Sequence, residues 1–479
     1  MKVIFTLAIL GALLSSSNAQ SIIGSWGGNI EFGTRKIFFI MHLTKDRDKY
    51  QSTFDSPDQN SFDLKGGETV LLADSVTAKI PSMNAGYTGK WDGKDEMNGL
   101  FTQGNNKIPL VLKRMNEADI PKNPLAVVRP QTPKPPFNYT IEEVEYDNAE
   151  QSVHYAATLT KPTNKKDFPT VIIISGSGTQ DRDGTLFDHK LYWVLADRLT
   201  KEGIAVLRVD DRGAGKSTVG PNPKSLTSAD FSYDAETSLN YLLQRKDINS
   251  KNIGLIGHSE GGAIAPMVAA RRREIAFLVL WGAPAIGGAE TNTSQNMTQL
   301  RKARIDSLST AAFGQLHKTI LSHFTAANKD ELKLGIDSSY AQWKRIQPEK
   351  VLKDLYATDS MIVGQNIHSL YNGLYDIAWM RYFINYNPVI DLKKVKCRVL
   401  AINGEKDTQV DAIPNLALIE KTLKENGNKK ITTIKLPSLN HLLQTAVTGD
   451  VSEYAKIEET IAPIAIEIIS NWINKTIKQ

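Results

Sequence analysis

The stretch Gly257-His258-Ser259-Glu260-Gly261-Gly262 decides the fold of this chain. The apolar run 253–256 precedes it and the alanine-rich run 263–270 follows it, which predicts a strand before the stretch and a helix after it. A strand, a G-x-S-x-G turn and a helix make a nucleophile elbow, in which small residues beside the serine relieve the crowding of strand and helix. The context therefore predicts that Ser259 is a nucleophile and not an ordinary turn serine.

The segments around this elbow predict an α/β domain that begins at Phe137. Continuous apolar runs separated by helical patterns are typical of a parallel sheet covered on both faces. Two alternating strands come first, near 138–147 and 152–160. The apolar runs are 171–174, 204–207, 253–256, 277–281, 398–402 and 431–436. Helices are predicted near 190–202, 230–245 and 411–426, and a C-terminal helix is predicted to begin near Glu453.

Residues 287–390 interrupt this alternation, because they are polar, rich in helix formers and without a strong strand. An insertion of this length is too long for a loop. We expect a helical cap over the edge of the sheet at which open α/β folds bind ligands. Its aromatic side chains either line an acyl pocket or form the core of the cap itself. They are Tyr340, Trp343, Tyr371, Tyr375 and Trp379.

A serine nucleophile needs a base, and the base needs a carboxylate that fixes its tautomer. After a G-x-S-x-G serine the acid comes next along the chain and the histidine comes last. Asp407 lies five residues past an apolar run, with Glu405 and Asp411 as alternatives. His441 also lies five residues past a strand and is the one histidine C-terminal to Asp407. His258 adjoins the serine, but neighbouring residues at an elbow point apart, so we expect it to be structural.

The oxyanion of an acyl-transfer reaction needs two backbone N–H donors. The amide of Glu260 is one candidate, because it follows the serine at a helix N-terminus, where the dipole favours negative charge. The glycine-rich loop 175–180 after an apolar strand is the second source, and we assign the amide of Ser177.

Other motifs argue against other chemistry. Residues 210–217 end in Gly-Lys-Ser, but the phosphate loop needs a glycine where Asp210 stands, so we interpret the segment as a turn. No cluster of His, Cys and carboxylate residues has metal-ligand spacing, and we expect neither a metal nor a cofactor. Cys397 is the one cysteine, so no internal disulfide is possible, and it is expected to be a buried, unreactive thiol.

The N-terminal part of the chain differs from the rest. Lys2, the apolar run 3–14 and Ser17-Asn18-Ala19 predict an export signal over 1–19, and hence a periplasmic or secreted protein; a buried strand or uncleaved anchor is the alternative. Residues 20–120 combine short alternating runs with turn signals, which predicts a small β-barrel or sandwich. Its role is either binding or packing. The proline-rich stretch 121–136 is predicted to be an extended linker.

The composition is that of a soluble globular protein with more than one domain. The chain has 479 residues, 41% hydrophobic and 23% charged, and a net charge of +5. No dense basic cluster with interleaved aromatics supports nucleic-acid binding. No later apolar run is long enough for a transmembrane helix, so stable membrane insertion is not expected. The oligomeric state stays open.

Together these residues resemble the α/β-hydrolase superfamily, and within it the exported bacterial serine aminopeptidase-like and carboxylesterase hydrolases. The resemblance covers about 137–286 and 391–479. It implies a mostly parallel eight-stranded sheet with the cap, 287–390, between strands six and seven. The motifs that carry the resemblance are Ser175-Gly176-Ser177-Gly178, Gln180-Asp181-Arg182-Asp183, Asp211-Arg212-Gly213, the elbow, Gly404 with Asp407, and Asn440-His441.

Three functions follow as hypotheses. The first is a serine carboxylesterase acting on a small ester through Ser259, Asp407 and His441. The second is a peptidase that uses the same three residues on a short peptide, with acids such as Glu260, Asp181 and Asp183 holding the amino terminus; these acids could equally cap helices or pair with Arg182 and Arg212. The third is a hydrolase that its N-terminal β-domain directs to a polymer.

Overall fold

The computed structural model describes residues 21–478 except 33–34, 47–48, 60, 105, 122–128, 164–165, 356 and 358–359. The chain divides into two compact units, Met1–Ala126 and Val127–Gln479, called here the barrel unit and the sheet unit. The predicted export signal, 1–19, lies outside the described residues and stays a prediction. Within the described part of the chain, no helix is both long and apolar enough to cross a membrane.

The barrel unit is an antiparallel sheet that closes on itself. Its strands are β1 (Gly24–Phe32), β2 (Arg35–Asp46), β3 (Lys49–Ser56), β4 (Ser61–Lys65), β5 (Thr69–Leu72), β6 (Ser75–Ile80), β7 (Ala85–Trp91), β8 (Glu96–Gln103) and β9 (Asn106–Arg114). The order β2-β1-β9-β8-β7-β6-β5-β3, with a further β2–β3 pairing, forms a ring of eight strands, and β4 adds to the outside of β3. Of the two predicted alternatives, the structure has the barrel.

Side chains fill the interior of this barrel. Trp26, Phe54 and Tyr87 are fully buried in its core. The indole of Trp26 donates to the carbonyl oxygen of Ile22 at 3.0 Å, and the guanidinium of Arg114 lies 4.2 Å from the Trp26 ring centroid. Eight strands enclose about as much space as side chains alone can fill, which explains the packed core.

The sheet unit is built on eight strands, seven of which point the same way. They are β10 (Tyr139–Asp147), β11 (His154–Pro162), β12 (Phe168–Ile174), β15 (Ala205–Val209), β16 (Ile248–His258), β17 (Ile275–Trp281), β18 (Arg398–Gly404) and β19 (Ile431–Leu436). A small hairpin, β13 (Thr185–Leu186) and β14 (His189–Lys190), precedes the first helix. The order is β10-β11-β15-β12-β16-β17-β18-β19, and β11 is antiparallel to both neighbours. This is the mostly parallel sheet that the sequence predicts.

Helices cover both faces of this sheet, because successive side chains of each strand point to opposite faces. Ile172 and Ile174 of β12 belong to one core, whereas Val171 and Ile173 belong to the other. The first core includes α2 (Ser228–Leu243), α3 (Glu260–Arg271) and α11 (Ala412–Glu425). The second includes α1 (Leu191–Lys201) and α13 (Pro463–Thr476), with the short α12 (Val451–Tyr454) nearby. The C-terminal helix that the sequence predicts to begin near Glu453 begins instead at Pro463, and only the short α12 covers Glu453. Proline is favoured in the first helical turn, which explains the start at Pro463.

Seven helices lie between β17 and β18, the sixth and seventh strands of the sheet in chain order. They are α4 (Gly288–Lys302), α5 (Ser307–Leu321), α6 (Lys329–Ile346), α7 (Glu349–Asp354), α8 (Ser360–Asp376), α9 (Ala378–Asn385) and α10 (Val389–Leu392), and we name them the helical insertion. The insertion has a core of its own, in which Trp343, Tyr371 and Tyr375 are buried and Tyr340 packs at the edge. Four of its five singled-out aromatics therefore belong to that core.

Arg129 and Gln131 of the proline-rich stretch are bonded to the C-terminal part of the sheet unit. The guanidinium of Arg129 donates to the carbonyl oxygens of Ile457 at 2.6 Å and Ala455 at 2.8 Å. The side chain of Gln131 donates to the carbonyl oxygen of Ile461 at 2.7 Å. Residues 129–136 thus follow the surface of the sheet unit, and residues 122–128 of the predicted linker lie outside the described residues.

We predict that Gly261→Ala destabilises the sheet unit by about 3 kcal/mol or more, because the added Cβ would overlap the carbonyl oxygen of Ile174 and lie 2.6 Å from that of Ser175. Backbone atoms cannot rotate away as a side chain can. Gly373→Ala is the matched control: a Cβ there meets nothing within 4 Å, and alanine favours the helix by about 1 kcal/mol. Chemical denaturation of both variants measures the difference, and equal stability would contradict the close approach.

A second prediction concerns His317, which is buried in the helical insertion between the hydroxyl of Tyr371 (2.5 Å) and the amide oxygen of Asn292 (2.8 Å). Burial lowers the pKa of His317 to about 4 from 6.5. The unfolded chain therefore binds a proton more readily between pH 6.5 and 4, and folding stability falls by up to about 3 kcal/mol as the pH falls through that range.

The His317→Gln variant should lose less folding stability than wild type as the pH falls. Hydrogen exchange in the helical insertion between pH 7 and 4.5 measures this stability. His154→Gln is a control of opposite sign, because a hydrogen bond to Asp147 raises the pKa of His154. The stabilising contribution of His154 is present at low pH and is lost as the pH rises. The same acid slope in wild type and His317→Gln would contradict the assignment.

Candidate active site

Ser259 occupies a strained turn between β16 and α3. Its φ of 54° and ψ of −119° are unusual for a residue with a side chain. The backbone holds it there through two hydrogen bonds of 2.8 Å, from the Ser259 amide to the carbonyl oxygen of Trp281 and from the amide of Gly262 to the carbonyl oxygen of Ser259. Side chains larger than hydrogen do not fit at Gly257, where a Cβ would overlap Gly261. This is the geometry that presents a serine hydroxyl at the edge of a sheet.

Asp407 and His441 meet at the same edge. The carboxylate Oδ2 of Asp407 lies 2.6 Å from Nδ1 of His441, and both residues are buried. Oδ1 of Asp407 accepts the backbone amides of Gln409 and Val410, each at 2.8 Å. Since a carboxylate accepts, Nδ1 of His441 carries the hydrogen and Nε2 presents its lone pair. The pair is therefore in the tautomer that a general base requires.

The two alternative acids lie elsewhere. Glu405 is exposed and pairs with Lys435 at 3.2 Å. Asp411 caps α11, where its side chain accepts the amide of Ile413 at 3.0 Å. Neither contacts His441, so Asp407 is the acid that the structure joins to the histidine.

The loop that carries His441 is fixed from two sides. The buried side chain of Asn440 accepts the amides of Leu442 at 3.0 Å and Gln444 at 2.9 Å. The indole of Trp281 donates to the carbonyl oxygen of His441 at 3.1 Å. The backbone of His441 thus has little freedom, and its position is set by Trp281 at the end of β17.

Ser259 and His441 both contact this strand end. Ser259 donates to the carbonyl oxygen of Trp281, and a Cβ on the next residue, Gly282, would lie 3.0 Å from Nδ1 and Cε1 of His441. Within the described residues, no hydrogen bond joins the hydroxyl of Ser259 to His441. Such bonds are often long until substrate binds. The structure thus joins Asp407 to His441 and places Ser259 beside the strand end that holds the histidine.

His258 is buried and packs against this edge of the sheet. Its ring lies 4.5 Å from that of Trp281 and 5.0 Å from that of His441, and its Nδ1 lies 3.2 Å from the hydroxyl of Tyr192. Burial, with the neighbouring His441 adding to it, holds the pKa of His258 well below its usual value, so the ring is neutral. These contacts agree with the structural role expected from the sequence.

The two candidate oxyanion donors come from separate elements. The amide of Glu260 begins α3 and so has no partner in its own helix. Ser177 lies in the loop after β12, which passes close to the serine: a Cβ on Gly176 would lie 3.2 Å from Cβ of Ser259. Among the hydrogen bonds of the described residues, neither the amide of Ser177 nor that of Glu260 has an acceptor. The amide of Gly176, by contrast, donates to the hydroxyl of Tyr192 at 3.1 Å.

Asp211 binds both ends of the loop 175–180. It is not among the site residues predicted from the sequence. Its carboxylate accepts the hydroxyl of Ser175 at 2.7 Å and the backbone amide of Gln180 at 2.9 Å. Burial raises the pKa of Asp211 to about 7. Its sequence signal is its place just after β15, at the carboxyl edge of the sheet, but that place does not reveal which loop it binds.

The three acids proposed to hold an amino terminus, Glu260, Asp181 and Asp183, all have partners within the protein. Asp181 accepts the backbone amides of its own turn, from Asp183 at 3.1 Å and Thr185 at 2.9 Å. Asp183 pairs with Arg208 and with Lys190. The side chain of Glu260 is buried and accepts the hydroxyl of Ser228 and the indole N–H of Trp379, each at 2.6 Å.

Arg182 and Arg212, the expected alternative partners of these acids, pair with other carboxylates. Arg182 pairs with Asp210 at 2.7 Å and Arg212 with Asp234 at 2.5 Å. Asp210 also accepts the amide of Lys216 at 3.1 Å, so the segment 210–217 is a turn closed by a carboxylate, as expected from the sequence.

A cavity of about 360 Å³ opens beside the oxyanion loop. Its rim includes Ser177, Gly178 and Glu260, and Trp379 of α9 also lines it. Trp379 is thus the one of the five singled-out aromatics that reaches this cavity.

In the described part of the chain, no three His, Cys, Asp or Glu side chains are grouped to hold a metal ion. Cys397 is half-buried, and burial raises the pKa of its thiol to about 12.

Comparison with known proteins places this arrangement in a family. Residues 188–444 match the family described as Hydrolase_4, serine aminopeptidase, S33. Esterase EstD of Thermotoga maritima is 31% identical over 116 residues, which are 24% of this chain and 27% of that protein. The matched segment thus spans about a quarter of the length of that relative.

Two solved structures show the extent of similarity in three dimensions. The esterase Pf2001 of Pyrococcus furiosus is 16% identical, with 71% of this chain and 91% of that chain covered and a TM-score of 0.41. Est1E of Butyrivibrio proteoclasticus, solved with ferulic acid bound, is 15% identical, with 70% and 100% covered and a TM-score of 0.41. Since the family match covers more than half of the sequence, this chain belongs to the serine aminopeptidase S33 family of α/β hydrolases.

Proposed function

We propose that this protein is a serine hydrolase that cleaves carboxylic esters through an acyl-enzyme on Ser259. The observation that carries the proposal is the buried 2.6 Å hydrogen bond between Asp407 and His441, at the same sheet edge as a serine held at positive φ. A buried acid and base beside a strained, presented hydroxyl are the parts that nucleophilic acyl transfer needs.

Each residue has a defined role in this reaction. Nε2 of His441 takes the proton of Ser259 as Oγ attacks the ester carbonyl, and Asp407 stabilises the imidazolium that forms. The developing oxyanion accepts the amides of Glu260 and Ser177, and each such donor contributes about 3 kcal/mol to stabilising the transition state. His441 then protonates the leaving alcohol. A water molecule, deprotonated by His441, releases the acid from Ser259 in a second cycle of the same steps.

An ester is favoured over a peptide because the carboxylates near the serine already have donors. Glu260 accepts Ser228 and Trp379, and Asp211 accepts Ser175 and Gln180. Both donors to Glu260 bond the same oxygen, Oε1, so a free amino terminus would compete with a protein donor at every oxygen of these two carboxylates except Oε2 of Glu260. A peptidase remains the second candidate, because these two carboxylates do line the cavity beside the serine and the family takes its description from an aminopeptidase.

We predict that Ser259→Ala lowers turnover of p-nitrophenyl butyrate by about 10⁴-fold or more, because the nucleophile is lost while the oxyanion donors remain. Thermal unfolding should change little, and Ser225→Ala, in an exposed turn, should retain wild-type turnover. Comparing acyl esters with aminoacyl anilides on the wild-type protein separates esterase from peptidase. Turnover of esters by Ser259→Ala at the wild-type rate would refute the proposal.

We predict that Asp407→Asn lowers kcat by about 10³- to 10⁴-fold with little change in KM, because the asparagine amide favours the wrong tautomer of His441. Glu405→Gln is the matched control, an acid two residues away that is exposed and has no contact with the histidine. Its kcat should stay within about twofold of wild type. Similar losses in both variants would mean that Asp407 is not the acid of the reaction.

A further inference from the structure

The cavity beside the oxyanion loop has an apolar wall and a polar rim. Its wall is formed by side chains of β12, α2 and α3, and its rim by the loop after β12, residues 210–212 after β15 and the first residue of α3. The wall includes Ile172, Ile174, Phe231, Ala235 and Ile264. A volume of about 360 Å³ lies in the lower part of the range of small-molecule sites, about 300–1,000 Å³. The cavity therefore has the size and lining for a small, largely apolar group.

Its position relative to the reacting atoms decides which part of a substrate it can take. The leaving group must lie within reach of His441, which protonates it. His441, Asp407, Gly282 and Ser259 itself are absent from the lining, whereas Ser177 and Glu260, the residues on either side of the proposed oxyanion position, belong to it. A carbonyl carbon attacked by Ser259 has its oxygen toward those donors. The substituent on the cavity side is therefore the acyl group and not the alcohol.

The rim of the cavity carries an excess of negative charge. Asp211 and Glu260 line it and form no ion pair among the described residues, because their oxygens accept neutral donors. Asp210 and Asp234 also line it, and each pairs with an arginine. Above the pKa of Asp211, about 7, a carboxylate brought into this space would meet the ionised Asp211 in a partly apolar setting, which is costly.

We propose that this cavity is the acyl subsite, that it takes a neutral apolar acyl chain, and that Asp211 and Glu260 exclude acyl groups that end in a carboxylate. The inference rests on the proposed function, since it names the acyl half of the ester that Ser259 attacks. Fixed charge at the rim discriminates between substrates by disfavouring the wrong one. The carboxylates act on specificity and not on the bonds that break.

Trp379 closes the subsite from the helical insertion. Its indole N–H donates to the Glu260 carboxylate at 2.6 Å, and its ring stacks on Phe383 with centroids 5.5 Å apart and planes 7° apart. The ring is thus held by a polar contact at one end and an aromatic contact on its face. The cavity has a wall that belongs to the insertion, and its size depends on where α9 lies.

The first test changes the depth of the cavity. Ala235→Leu adds volume to the wall and should lower the ratio of kcat/KM for p-nitrophenyl hexanoate to that for the acetate by about tenfold or more. Ala229→Leu, on the same helix but outside the lining, should leave that ratio unchanged. Should Ala235→Leu fail to fold, Phe231→Ala tests the same wall by enlargement and should raise the ratio of octanoate to butyrate turnover.

The second test changes the charge. p-Nitrophenyl hemisuccinate differs from the butyrate in that a carboxylate replaces the terminal methyl group. At pH 8, wild type should prefer the butyrate by about 100-fold, and Asp211→Asn should narrow that preference about tenfold. The exposed Glu405→Gln should not change it. The readout is a ratio within each variant, so a general loss of rate does not affect it.

The outcomes separate the two proposals. If wild type cleaves none of the esters, or Ser259→Ala cleaves them equally well, the proposed function fails and the subsite fails with it. If the esters are cleaved through Ser259 but neither wall variant moves the chain-length ratio, the cavity is not the acyl subsite. If the ratio moves but the preference for butyrate over hemisuccinate is absent or insensitive to Asp211→Asn, the charge exclusion is wrong.

Discussion

The sheet unit is organised around the close approach of α3 to the ends of β12 and β16. Ser259 can stand at positive φ only because the backbone on either side is held: its amide by Trp281, its carbonyl oxygen by Gly262. The helix in turn reaches the sheet only because Gly261 has no side chain. A conformation that is unfavourable by itself persists when its surroundings fix it this strongly. The same approach brings the first amide of α3 next to the loop after β12, so Ser259 and both candidate oxyanion donors depend on one contact.

The features that the sequence predicts well are local ones. The elbow, the apolar strands and the positions of Asp407 and His441 just past strand ends follow from patterns within ten residues. The choice among Glu405, Asp407 and Asp411 is less certain from sequence, since all three follow one strand. The structure distinguishes their contacts: in the turn after β18, Asp407 accepts two backbone amides and bonds His441, while Glu405 lies at the surface.

What the sequence does not reveal depends on contacts between distant segments. Short alternating strands look the same in a barrel and in a sandwich, and the pairings that close the ring, β1 with β9 and β2 with β3, are not visible in local patterns. The role of Asp211 is hidden for the same reason, because its partners, Ser175 and Gln180, lie more than 30 residues before it. The start of the last helix is a different case, because it depends on a local signal. Pro463 is visible in the sequence, and proline is favoured in the first turn of a helix.

Glu260 takes part both in the local turn at Ser259 and in contacts between distant segments. Its backbone belongs to the turn, whereas its side chain bonds residues of two other helices. Its amide has no acceptor among the described residues and is a candidate oxyanion donor, whereas its carboxylate is bound by Ser228 at the start of α2 and by Trp379 of the helical insertion. A buried carboxylate that loses one of these donors would be left partly unsatisfied, at a cost of about 1–3 kcal/mol. A displacement of α9 is therefore energetically coupled to the residue whose amide is a candidate oxyanion donor. The insertion is bound to the elbow by the same side chain that lines the cavity, so the shape of the cavity and the position of this candidate donor are coupled.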